Sequence, residues 1–319
     1  MSKTISPTQT QTAELASADP DRRVRVKQGV QWGRVAAWAA MVLLLFISLF
    51  PFYWMLRTAL ATNSQLVNGE QGLLPPDPTT LNLKQVLDLA SAQEIEKAGT
   101  ATTASINFFT ALRNSVIVCT LITIGQVLFC SMAAYAFARL RFPGRDKLFF
   151  LYLTAMMIPP VFTLIPNFVL IKNLGWLNTI PGIVAPFFLM TPFAVFFLRQ
   201  FFLGISREVE EAAVLDGASR WRIFRELILP MSIAPLTTLA VLTYITAWNE
   251  YMWPLVVGDS DGVRVLTVAL NAFRAGTPTI APPWAPLMAA TLLAAIPIIV
   301  LFLVLGRRMV DAIGFSGIK

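Results

Sequence analysis

The chain has 319 residues and not one of them is histidine. That removes the side chain that titrates near neutral pH and the commonest metal ligand. No catalytic residue, metal site or cofactor is therefore expected. Cysteine is almost as scarce, with only Cys119 and Cys130. Both fall in one apolar stretch, where eleven residues of helix separate them by roughly 16 Å. A disulfide needs Cα atoms within about 7 Å, so both are read as small buried hydrophobes. Charged residues make up only 13% of the chain, against about 25% in ordinary soluble domains. So few charges cannot clothe a water-exposed surface of this size, and most of it must face lipid. No Gly-x-x-x-x-Gly-Lys-Ser/Thr loop occurs, so the chain does not cradle nucleotide phosphates itself. The acids lie in tails and loops apart from Glu250, which argues against a proton-driven carrier, whose carboxylates usually sit within the bilayer. Net charge is +7, but no basic run is interleaved with stacking aromatics, and nucleic acid is not an expected partner.

What the chain does have is hydrophobic length: 56% of its residues are apolar. A membrane-crossing helix needs about 20 mainly apolar residues. Six stretches qualify, at about 35–56, 115–138, 148–171, 181–202, 232–256 and 284–305. The expected fold is an all-α membrane protein of six transmembrane helices. Prolines recur inside the spans: Pro159, Pro160 and Pro166 in the third, Pro186 and Pro192 in the fourth, Pro297 in the sixth. Broken helices suit a pathway that opens and closes, although prolines are also simply commoner in membrane helices. Residues 1–33 are polar and end in Asp21-Arg22-Arg23-Val24-Arg25-Val26-Lys27. They are expected to form a disordered tail ahead of an uncleaved first span, with the membrane domain over 34–319.

Lysine and arginine set the orientation. With six spans both termini share a side, and that side holds 18 of the 25 basic residues. Both termini are therefore expected in the cytoplasm. The outer segment 57–114 carries a Pro75-Pro76-Asp77-Pro78 turn and an expected short helix near 82–97.

The inner loop, about 199–231, is the most informative stretch. It reads as two short helices around Gly217. Ser206 can cap the first, with Glu208, Glu210 and Glu211 near its positive end. Gly217 can adopt the left-handed conformation that closes it, and Ser219 can cap the second. Trp221, Phe224, Leu227 and Ile228 are expected on one face, and Pro230 is expected to stop the helix. Val209, Ala212 and Ala213 form a small-residue face. Physics alone leaves two roles open: seating in a groove of another protein, or lying on the bilayer surface.

The run Glu211-Ala212-Ala213-x-x-Asp216-Gly217-Ala218, followed by Phe224 and Leu229-Pro230, resembles the "EAA" loop of ABC-importer permeases. Residues 133–145, Asn173–Thr179 and Trp248–Pro254 resemble the sugar-permease branch of the maltose-transporter type, and the likeness covers about 35–319. It implies a MetI-like permease fold in a bacterial inner membrane, with a coupling loop at 203–230. It also implies the partners: a second permease, a dimer of ATP-binding subunits, an extracytoplasmic binding protein and a sugar cargo. The residues it implies in ATPase coupling are Glu211, Ala212, Ala213, Asp216, Gly217, Ala218, Phe224 and Pro230. The C-terminal tail from Gly314 is implied to reach the ATPase as well.

Glu250 sits among Trp248, Asn249 and Tyr251. Aromatic faces with amide and hydroxyl groups suit sugars, so these four are candidates for the cargo path. Alternatively the aromatics form an interfacial belt and Glu250 binds a backbone end. Asn114, Gln126, Asn167 and Gln200 are more in keeping with helix–helix glue. Two other functions stay open: an ABC permease for a glycerol-phosphate or amino-acid cargo, and an ion-coupled carrier acting alone.

Overall fold

The computed structural model describes residues 32–62, 65, 66, 68, 72–75, 77–97, 107–275 and 283–314. The expected tail at 1–33, all but its last two residues, and the C-terminal stretch 315–319 lie outside the described residues, as does Pro76 of the expected turn. Every regular element among the described residues is helical. The chain divides into two units, Met1–Pro51 and Phe52–Lys319.

In the first unit, the described residues form the greater part of helix α1 (Trp32–Ala59), whose stretch from Val35 to Phe50 is apolar but for Ser48 and exposed throughout. All else concerns the second unit. There α1 ends at Ala59, where the buried Asn82 donates to the carbonyls of Ala59 and Ala61 at 2.8 Å each. The Ala59 carbonyl is one that a helix end leaves unpaired, and the Ala61 carbonyl lies just beyond it. The helix expected near 82–97 is instead two, α2 (Leu81–Val86) and α3 (Ala92–Lys97). Asp88, in a left-handed conformation at φ 56°, separates them. Ser91 and Glu94 then start α3 with a reciprocal capping box: the Glu94 carboxylate accepts the Ser91 N–H, and the Ser91 hydroxyl accepts the Glu94 N–H.

Helix α4 (Phe108–Arg139) is the central mast. Its buried residues follow helical spacing from Ala111 through Ser115, Val118, Ile122 and Cys130 to Ala138, and many are small. In lipid, helices associate through close packing rather than hydrophobic exclusion, so small residues matter most there. Gly125 shows how close the approach is: a Cβ at that position would lie 2.2 Å from the carbonyl of Phe188. Asn114 donates to the carbonyls of Gly262 and Arg264, and Ser115 accepts the N–H of Leu266. These polar residues on the mast hold the loop that opens α13 (Leu266–Ala275).

The expected third span is not one rod. Helix α5 (Arg145–Thr154) and its 3₁₀ continuation to Met157 meet α6 (Pro160–Asn173) at 97°. Pro159 and Pro160 are the cause. A residue before proline is pushed out of helical space, and Ile158 is extended, with ψ at 113°. The fourth stretch is likewise α7 (Ile180–Phe188) and α8 (Pro192–Gly204), bent by 45°. Helices α9 (Arg207–Leu215) and α10 (Arg220–Met231) precede α11 (Ile233–Asn249), which α10 meets at 78°. A break at Glu250–Tyr251 separates α11 from α12 (Met252–Val257), so the fifth expected stretch is also two pieces. Helix α14 (Trp284–Gly314) tolerates Pro297 without interruption. Among the described residues, three helices, α1, α4 and α14, are long and apolar enough to cross a membrane alone, and three bent pairs qualify if each counts as one crossing.

Candidate functional site

Two places gather the residues singled out above. The first is the hairpin α9–α10. The Ser206 hydroxyl accepts the Glu208 N–H and opens α9. Gly217 closes it in the left-handed region at φ 80°. Its N–H donates to Val214 and that of Ala218 to Ala213, at 3.0 and 2.9 Å. This 5→2 and 6→1 pairing is the Schellman ending, which requires a residue at ease with positive φ. Ser219 then caps α10 through the Arg222 N–H.

The hairpin has an inner and an outer side. Ile223, Phe224 and Ile228 are at most 2% exposed and pack with Tyr135, Leu198, Phe202 and Leu239. Ala213 and Ala218 lie half-buried against the same cluster. On the outer side stand Val209, Glu211, Ala212, Val214, Leu215 and Asp216, all exposed. Trp221 departs from the face expected for it: it is 57% exposed and leans on Phe224 with ring centroids 5.5 Å apart. Phe224–Ile228 form a π-type turn, with Ile223, before it, and Ile228, at its end, both buried. Pro230 explains that turn: it offers no N–H to the carbonyl four residues back, and a widened turn absorbs the misfit. Pro230 itself is exposed, and the helix ends one residue later, at Met231.

Glu210 and Glu211 are sequence neighbours on opposite sides. Glu211 is exposed, whereas Glu210 is buried against Arg139, with Oε1 2.9 Å from Nε. Arg139 ends α4, and its Nη2 also donates to the carbonyls of Phe202 and Ile205 where α8 ends. In the sequence, Arg139 is one of the 18 basic residues on the side of the termini and part of the 133–145 stretch, and Glu210 is a dipole partner. Nothing in their spacing announces that they meet.

The second place is a cavity of about 210 Å³ within the bundle. Gln126, Phe187, Thr191, Thr243, Glu250 and Trp253 contribute to its wall. Gln126 is its polar node: it donates to the carbonyl of Phe187 at 2.9 Å, and its own oxygen receives the hydroxyls of Thr191 and Thr243 at 3.4 Å. It joins α4, the α7–α8 break and α11. Of the four path candidates only Glu250 lines this cavity. Its carboxylate accepts the Trp253 N–H in the first turn of α12 at 3.2 Å, and its carbonyl accepts the Thr267 hydroxyl. Trp248 is buried elsewhere and stacks on Tyr244. Asn249 is exposed and donates back to Ile245, and Tyr251 pairs with Asn271. Successive residues on a helix point about 100° apart, and the break at Glu250–Tyr251 scatters them further.

Residues 126–313 match the family described as "Binding-protein-dependent transport system inner membrane component". The chain belongs to this family. It is a permease subunit of an ABC importer, a transport component rather than an enzyme. The chain is 30% identical over 305 residues to the "Probable ABC transporter permease protein YurM" of Bacillus subtilis, covering 94% of this permease and 95% of that one. Identity is 28% over 280 residues to the sn-glycerol-3-phosphate permease protein UgpE of Agrobacterium fabrum, covering 88% and 95%. It is 29% over 279 residues to the trehalose/maltose permease protein MalG of Thermococcus litoralis, covering 87% and 94%. A bacterial ABC transporter involved in the import of the acidic polysaccharide alginate has a chain of the same fold, with a TM-score of 0.70 over 88% of this permease and 98% of that chain, at 22% identity. The family match includes the whole α9–α10 hairpin and the cavity wall from Gln126 onward.

Proposed function

We propose that this permease pairs with a second, similar permease and with a dimer of ATP-binding subunits, and imports a sugar delivered by an extracytoplasmic binding protein. Both termini and the α9–α10 hairpin lie in the cytoplasm, and the segment 57–114 lies outside. The observation that carries the coupling role is the two-sided hairpin. Phe224 and its neighbours root it in the bundle, while Glu211, Ala212 and Asp216 are presented outward on a short helix of fixed ending. A rigid element rooted on one side and free on the other serves as a lever between a soluble motor and the spans. Gly217 and Ala218 set its corner and Pro230 its return into α11.

The cavity under the α7–α8 and α11–α12 breaks supports a place on the cargo path, with Glu250 in its wall. Broken helices at membrane depth expose backbone groups where they line a route. Sugar is the reading that the maltose-type likeness favours. The likeness to UgpE supports glycerol phosphate as the second reading. Reconstituting this permease with the second permease, the ATPase and the binding protein tests both: the expected result is ATP-dependent uptake of a sugar. Uptake by this chain alone, without ATP, overturns the importer assembly, and competition by glycerol phosphate but not by sugars selects the second reading.

A further inference from the structure

We infer that Arg139 and Glu210 form a buried clamp that makes α4, the end of α8 and the coupling helix α9 move as one body. This rests on the coupling role proposed above and names the joint through which it acts. The side chains of Arg139 and Glu210 are only 3% and 8% exposed. Their contact at 2.9 Å is a charge contact, since the Nε–H is not aligned for a hydrogen bond on Oε1. The guanidinium also reaches backbone: Nη2 donates to the carbonyls of Phe202 and Ile205. Those carbonyls carry the negative end of the α8 dipole. One guanidinium therefore neutralises a helix end and a carboxylate at once, in the planar multi-donor geometry peculiar to arginine.

Only Ile205 and Ser206 lie between α8 and α9. Without the clamp that two-residue joint is a natural hinge. With it, the hinge is locked against the last residue of α4. A second contact repeats the pattern, because Arg199 of α8 donates to the carbonyl of Phe137 and lies 4.2 Å over the Phe149 ring. The adjacent carboxylates thus divide their work: Glu211 faces outward, and Glu210 ties the helix to the spans. Glu210 is a positioning residue. It acts through Arg139.

The test uses the complete reconstituted importer and divides uptake by ATP hydrolysed, so that losses of assembled complex cancel. E210Q keeps size and removes charge. Coupling between distant sites typically spans about 5- to 150-fold, and uptake per ATP is expected to fall on the order of tenfold. The double variant Arg139→Met with Glu210→Met removes both buried charges, which apolar pairs often replace without loss of stability. Its complex is expected to form in normal amount while uptake per ATP stays low. A purely structural pair predicts full recovery in the double variant, and that result, or a wild-type ratio in E210Q, overturns the clamp. Glu211→Lys on the outer face is the control for the underlying reading. If that variant retains both ATPase co-purification and uptake, the docking role fails independently of the clamp.

Discussion

At the residue scale, Gly217 is the position where the backbone decides the side chain. Its φ of 80° is closed to most L-residues, and no neighbouring atom lies within 4 Å of the point a Cβ would occupy, so strain rather than crowding sets the cost. An L-residue in that region pays about 1–2 kcal/mol. Gly217→Ala is expected to weaken uptake with normal membrane abundance. Gly217→Pro is expected to abolish it, because proline fixes φ near −65° and removes the N–H that now binds Val214. Uptake assays alongside immunodetection of the membrane fraction separate the two effects. Gly125 is the opposite case, where space decides. Even Gly125→Ala places a Cβ 2.2 Å from the Phe188 carbonyl. The mast must then back away from α7 and stretch the Gln126 bond to Phe187, so a lower melting temperature of the purified protein in detergent is expected. Glu250 differs again. Glu250→Gln can still accept the Trp253 N–H, so the fold is expected to persist while uptake falls if the carboxylate meets cargo hydroxyls. Glu250→Ala loses that hydrogen bond as well, worth about 1 kcal/mol, and melts earlier. Wild-type uptake in Glu250→Gln would leave the bond to Trp253 as its whole role.

At the element scale, what could be read from the sequence follows from how local each signal is. Ser206, Gly217 and Ser219 announce the hairpin because capping and left-handed endings act within a few residues. The apolar lengths of α1, α4 and α14 were equally visible. The bends were visible only as prolines. Pro159 and Pro160 break the chain by 97°, because two adjacent prolines force both Ile158 and Pro159 into extended backbone, whereas the single Pro297 leaves α14 continuous. The π turn at Phe224–Ile228 is not announced by any residue type within it. The Arg139–Glu210 pair and the Gln126 node were not legible at all. Each joins residues distant in sequence, and their side-chain types alone suit a topology charge or a dipole partner just as well. The same logic scattered Trp248 to Tyr251: adjacency in sequence is not adjacency in space once a helix breaks.

At the scale of the whole molecule, the sidedness rests on the distribution of lysine and arginine, 18 against seven. The bias is consistent from loop to loop, and the short loops near span ends are those in which positive charge governs insertion. The same arrangement must hold for the proposed machine to work, because an ATPase in the cytoplasm can reach only a cytoplasmic hairpin. Single cysteines read by a membrane-impermeant maleimide test it. The native Cys119 and Cys130 are buried and are replaced by serine or alanine beforehand. Ser91 is exposed in the outer segment 57–114, Ser260 is exposed in the loop after α12, which the proposed topology puts on the same side, and Ser206 and Ser219 are exposed in the hairpin. Cysteines at 91 and 260 are expected to label in intact cells stripped of their outer barrier. Those at 206 and 219 are expected to label only in inverted vesicles, and less once the ATPase is bound. Reversal of that pattern would place the hairpin beyond the reach of any cytoplasmic motor. Equal labelling at 206 with and without the ATPase would keep the topology but remove the hairpin from the docking surface.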